Sequence, residues 1–179
     1  MRSPADRYSA HTSALTAAFL AIAVVLGYLE SVALPSLPVP GVKLGLANLA
    51  VIVALVHLGP ARAALVSGAR VVLVALATGA LAGPVFLLSA AGAVASFLVM
   101  WALASRGDTF SPVGWSVAGA AAHVIAQLAM ASLLASTLAP LALAPLSLGM
   151  SLPAGLALGL AARVLVSRLP ELSLSVAGR

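Results

Sequence analysis

From Ala14 to Leu34 the chain runs for a membrane's width with one charged residue, Glu30, and comparable apolar runs follow almost to the C-terminus. A spanning helix needs about 20 mainly apolar residues. Of the 179 residues, 63% are hydrophobic and 7% charged, against roughly 25% charged in a soluble domain. Nine basic and four acidic side chains cannot cover a water-soluble globule of this length. The expected fold is therefore all-α, a single polytopic membrane domain over residues 1–179, in contact with lipid on most of its surface. Arg2 and Arg7 precede the first run as in a signal peptide. That run is long enough to span and no polar domain follows it, so it reads as a transmembrane helix.

Proline and glycine set the boundaries of six predicted helices. Helix 1 covers about 13–34 and ends at Pro35-Ser36-Leu37-Pro38-Val39-Pro40-Gly41, which cannot continue a helix. Helix 2 covers about 42–58 and stops at Gly59-Pro60. Helix 3 covers 61–79, and helix 4 covers 84–104, after Gly83-Pro84. Helix 5 starts at the serine cap and first-turn proline of Ser111-Pro112 and reaches about 137. Pro140 and Pro145 interrupt the next stretch. Helix 6 covers 146–168, with Pro153 as a kink.

With six helices, Arg2, Arg7, Arg62, Arg106, Arg168 and Arg179 fall on one side, and the other side receives Lys43. The positive-inside rule puts the first set, and both termini, in the cytoplasm of a bacterium with the chain in its inner membrane. The net charge of +5 does not imply nucleic acid, because the basic residues form no patch. No cysteine is present, so disulfides, thiolate metal sites and iron–sulfur clusters are excluded, and no cofactor is expected.

Small residues recur at four-residue spacing: Ala14/Ala18 and Ala17/Ala21 in helix 1, Gly41/Gly45 at the start of helix 2, Gly92/Ser96 in helix 4, Gly114/Ala118/Ala122 in helix 5 and Gly155/Gly159 in helix 6. Such pairs let backbones approach closely. Each serves either packing within the bundle or an interface with a partner subunit. The two overlapping pairs of helix 1 make the broadest smooth face for a partner.

Polar side chains at membrane depth are costly and therefore informative. Arg70 lies deep in helix 3, too far from either end to snorkel freely. Glu30 sits in the last turns of helix 1, and Lys43 and Asn48 in the first turns of helix 2. His123 and Gln127, four residues apart, share a face of helix 5. Each has a structural explanation: an Arg70–Glu30 pair, a snorkelling Lys43, or Asn48, His123 and Gln127 as interhelical hydrogen-bond groups. All six nevertheless lie at the midplane or in the outer half, which one outward-facing polar cavity accounts for. His11 and His57 fall near the wet cytoplasmic ends. Ser67, Thr78, Ser89, Ser96 and Ser132 can bond carbonyls of their own helices.

The run Leu29-Glu30 … Pro38-Val39-Pro40-Gly41-Val42-Lys43-Leu44-Gly45-Leu46-Ala47-Asn48 resembles the signature of the Gx transporter family. Arg70, Gly79, Ser89, Phe110-Ser111-Pro112-Val113-Gly114, His123 and Gln127 extend the likeness over about 15–165. Members are often labelled heptaprenyl diphosphate synthase component I. They are grouped with the substrate-binding S-components of energy-coupling-factor vitamin transporters, six-helix proteins that bind a ligand near the outer side. The resemblance implies association, through a small-residue face of helix 1, with a membrane coupling subunit and ATPases. Ala14, Ala17, Ala18 and Ala21 fall where that face would be.

The two labels imply different chemistry. Prenyl-diphosphate synthesis needs clustered carboxylates to hold Mg²⁺. Asp6, Glu30, Asp108 and Glu171 are the only acids, and no two are close in sequence, so neither a metal site nor a catalytic site is expected. A GxxxxGK[ST] phosphate loop is also missing, so any ATP-driven step needs a partner. The leading expectation is a non-enzymatic, substrate-binding subunit of an uptake transporter for a vitamin-like solute. Its ligand would meet Glu30, Lys43, Asn48, Arg70, His123 and Gln127, with the 35–41 loop as a lid. The alternatives are a membrane accessory component of isoprenoid or heptaprenyl diphosphate synthesis, and a purely structural subunit in which Arg70 pairs with Glu30 and no cavity exists.

Overall fold

The computed structural model describes residues 4–33 and 45–169. Their regular structure is helical: α1 (Pro4–Ala33), α2 (Leu46–Leu58), α3 (Pro60–Ala77), α4 (Pro84–Ala104), α5 (Pro112–Ala135) and α6 (Ala144–Arg168), with short 3₁₀ turns at Gly107–Thr109 and Ala139–Leu143. Among the described residues there is no strand. Pro60, Pro84 and Pro112 each occupy the first turn of a helix, where a missing N–H costs nothing. The Ser111 hydroxyl accepts from the Gly114 N–H at 3.4 Å and caps α5. Gly79, at φ 68°, lies just past the end of α3, and Ser136, at φ 51°, ends α5.

Several boundaries differ from expectation. α1 begins at Pro4, nine residues before the predicted start, because hydropathy registers where lipid begins and not where a helix begins. α6 begins two residues early and carries Pro145 in its first turn, so that proline opens the helix. The helix continues through Pro153. α2 begins at Leu46, after Gly45 at φ 73°; positions 42–44 and the 35–41 loop lie outside the described residues.

Among the described residues, five helical stretches are long and apolar enough to cross a membrane, which marks a multi-pass membrane protein. α2 is the exception. Its 13 residues reach about 20 Å, short of a hydrocarbon core of about 30 Å. It is apolar on all sides, touches every other α-helix, and is buried at nine positions, so it forms the centre of the bundle. His57, expected at a wet end, is buried within it.

The other helices put large side chains outward and small ones inward. α6 buries Ser147, Ser151, Gly155, Gly159 and Ala162, while Leu156, Leu160 and Val164 are exposed. In lipid the apolar exterior gains nothing by burial, so close packing must hold the helices together. A Cβ on Gly159 would lie 2.7 Å from the Val113 Cα, and one on Gly155 would lie 2.9 Å from the Ala120 Cβ. Toward α4, a Cβ on Gly119 would lie 2.8 Å from the Met100 Cγ and 3.1 Å from the Ser96 Oγ. Gly92, Ser96, Gly155 and Gly159 therefore pack within the bundle. The tight face of α5 is Ser116, Gly119 and Ala120 in place of the expected Gly114, Ala118 and Ala122, because Gly114 has only Phe110 within 4.0 Å. In α1, Ala14, Ala17, Ala18 and Ala21 are all exposed.

Candidate functional site

Arg70 emerges from the middle of α3 into the bundle and is only 8% exposed. Its Nη2 donates to the Asn48 Oδ1 at 2.9 Å, and the Asn48 Nδ2 donates to the Ser96 Oγ at 3.3 Å. One side-chain chain thus links α3, α2 and α4. Asn48 belongs to the first turn of α2, which ends at the level of Arg70 because α2 is short.

Glu30, on the last turns of α1, is 5% exposed. Its Oε1 accepts the Gly45 N–H at 2.6 Å, a charge-assisted bond joining the end of α1 to the entry of α2. The carboxylate also lies close enough to attract the Arg70 guanidinium electrostatically. The expected pairing of these two residues is therefore part of the picture, but Arg70 makes its 2.9 Å hydrogen bond to Asn48.

These groups border a cavity of about 180 Å³. Glu30 and Ser31 line it from α1, Asn48 from α2, Arg70 and Val74 from α3, Thr78 from just past the end of α3, Phe86 and Ser89 from α4, and His123 from α5. The imidazole of His123 is seated over Gly92, where an added Cβ would lie 2.7 Å from its Cε1. The Arg70 Nε is buried and has no hydrogen-bond partner among the described residues. A buried donor left unmatched costs about 1–3 kcal/mol, and more when it is charged.

Of the six residues expected to form one site, Glu30, Asn48, Arg70 and His123 line this cavity. Gln127 does not; it borders a second cavity, between α4, α5 and α6. The one-turn spacing that aligns it with His123 also carries it about 6 Å along the axis, into the zone covered by α6. Lys43 lies outside the described residues. Ser96 departs from the expectation of bonding within its own helix, since its hydroxyl accepts from Asn48. The four-residue spacing from Gly92 was the signal that it faces inward. Thr78 follows expectation and donates to the Val74 carbonyl at 2.9 Å. Among the described residues, no group of three or more His, Cys, Asp or Glu comes together to hold a metal ion.

A family model described as heptaprenyl diphosphate synthase component I matches residues 19–165, which include every cavity-lining residue named above. The chain belongs to the heptaprenyl diphosphate synthase component I family. No curated protein and no solved structure matches it. In this member of the family the matched region spans α1 from Phe19, all of α2 to α5, and most of α6.

Proposed function

We propose that the Arg70 cavity captures a small organic solute carrying an anionic or strongly polarised oxygen, and that the protein is the substrate-binding membrane subunit of an uptake system. The observation that carries this reading is the buried Arg70 guanidinium, held by Asn48 on one nitrogen and lining the cavity. A carboxylate or carbonyl oxygen in the cavity gives that guanidinium a charge-assisted partner. Thr78 and His123 add polar walls, and Val74 and Phe86 supply the apolar contact usual in small-molecule sites. The exposed Ala14, Ala17, Ala18 and Ala21 give the membrane coupling subunit and its ATPases a smooth docking face. The excess of arginines at the opposite end of the bundle from Glu30 supports cytoplasmic termini in a bacterial inner membrane, with the cavity near the outer side.

Thermal unfolding of the protein in nanodiscs, against a panel of vitamins and their anionic precursors, tests this. A true ligand at 100 times its Kd raises stability by about 2.7 kcal/mol. Arg70→Ala should abolish that gain. A panel without a stabilising compound, or a gain unaffected by Arg70→Ala, would overturn the reading.

A second reading has its own support. A groove of about 240 Å³ between α3 and α4, lined by residues such as Ala64, Val72, Ala90 and Leu98, shares Val71 and Phe86 with the Arg70 cavity. A diphosphate at Arg70 with a prenyl chain along this groove fits the family's description, making the protein a membrane accessory component of heptaprenyl diphosphate synthesis. Radiolabelled prenyl transfer by a soluble partner enzyme, dependent on this chain, would favour it. Equal transfer with and without the chain would eliminate it.

A further inference from the structure

Among the described residues bordering the Arg70 cavity, the formally charged ones are Glu30 and Arg70, one of each sign. Both are buried, and the carboxylate lies near enough to attract the guanidinium. Glu30 accepts the Gly45 N–H at one oxygen, and Arg70 donates to Asn48 from one terminal nitrogen. An ionised carboxylate offers about four acceptor sites and a guanidinium five donors, so each has capacity for a further group. The described wall is thus close to neutral in sum, with a cationic and an anionic group facing one small space.

Charge balance selects the occupant. A ligand with one negative charge at Arg70 would take up the charge that offsets Glu30. The surplus would sit at membrane depth, where an uncompensated buried charge costs far more than one hydrogen bond returns. A diphosphate, with several negative charges, would do so more severely. A molecule with both a carboxylate and an ammonium group adds no net charge and gives each wall residue a charge-assisted partner. Volume narrows the class further. An engineered protein cavity of about 150 Å³ holds a benzene molecule. The space of about 180 Å³ here therefore suits a molecule of amino-acid size, its apolar part against Val74 and Phe86. We infer that the solute taken by the Arg70 cavity is a compact zwitterion of no net charge, such as an α-amino acid with an apolar side chain, its carboxylate on Arg70 and its ammonium group on Glu30. The carboxylate meets the terminal nitrogens of Arg70, because Nε is sealed from the cavity. The inference rests on the reading of this cavity as a solute site and adds the charge and size of the solute to it.

Isothermal titration calorimetry of the full chain in nanodiscs, with empty nanodiscs as the reference, tests it. The probes are valine, leucine and phenylalanine, each beside its deamino acid and its decarboxylated amine, so that the members of a set share a skeleton and differ in charge. At pH 7 at least one amino acid should bind about ten-fold or more tighter than both of its relatives, the worth of one charge-assisted hydrogen bond. Arg70→Ala should abolish that binding. Glu30→Gln keeps an oxygen to accept the Gly45 N–H and removes the charge, so it should reverse the order and make the deamino acid the tighter ligand. A merely structural Glu30 would leave the order unchanged. Should Glu30→Gln fail to assemble, the order within the wild-type sets decides. A deamino acid that binds through Arg70 as tightly as its amino acid, or an unchanged order in Glu30→Gln, overturns the inference and leaves the solute-site reading standing. Absence of binding by all three amino acids also overturns it, and the solute-site reading falls only if the vitamin panel fails as well.

Discussion

Along α5 and α6 the backbones meet where Gly155 and Gly159 leave no side chain between them, whereas α1, α2, α3 and α4 are linked through Glu30, Asn48, Arg70 and Ser96. The glycine seam is dense and shape-dependent, and it tolerates little displacement. The polar links are few and directional, and each can exchange a protein partner for a ligand atom without separating the helices. The Arg70 cavity is walled mainly by the polar-linked helices, with α4 on its far side and one residue, His123, from the glycine-packed half. The cavity is thus walled almost entirely by the half that is held through directional hydrogen bonds.

The contrast is broken most severely at Gly159. Gly159→Leu forces a side chain into the Val113 backbone and should cost about 3 kcal/mol or more, with loss of the monodisperse species in size-exclusion chromatography. A stable Gly159→Leu protein would mean that the seam is not the rigid half. Next comes Gly92→Ala, at the meeting point of the halves. Its methyl would displace the His123 ring, costing about 1–3 kcal/mol in thermal unfolding and weakening any solute binding at Arg70.

Asn48→Leu removes the acceptor of Arg70 and should cost about 1–3 kcal/mol. Adding Arg70→Met should cost less than the sum of the two single changes, and the double-mutant cycle measures the link. Strict additivity would show that the polar half is not coupled. The smallest effect is expected at Ala18, which is exposed on α1. Ala18→Leu should change stability by no more than about 0.5 kcal/mol, yet co-purification with a coupling subunit should fall if this face docks one.

Helix starts were legible at Pro60, Pro84 and Pro112, but not at Pro4 or Pro145, which also open helices. The membrane character followed from charge scarcity alone. The extra turns of α1 escaped notice because polar residues form helix in water as readily as apolar ones do in lipid. Arg70, Asn48, Glu30 and His123 could be grouped from depth alone, since a polar side chain in lipid must seek others. Gln127 could not be separated from them, because that depends on where α6 lies, and helical spacing within α5 carries no information about a neighbouring helix. For the same reason His57 could not be recognised as buried, and Ser147 drew no notice within an apolar helix.

The shortness of α2 bears on how the protein is made. A 13-residue helix cannot hold its place in a bilayer unaided, so α2 must enter joined to α3 through the Gly59-Pro60 corner and shelter against α1. Its remaining flanks close only when α5 and α6 emerge from the ribosome, so a nascent chain stopped after α4 should leave the side of α2 that meets them open to reagents that the finished protein excludes.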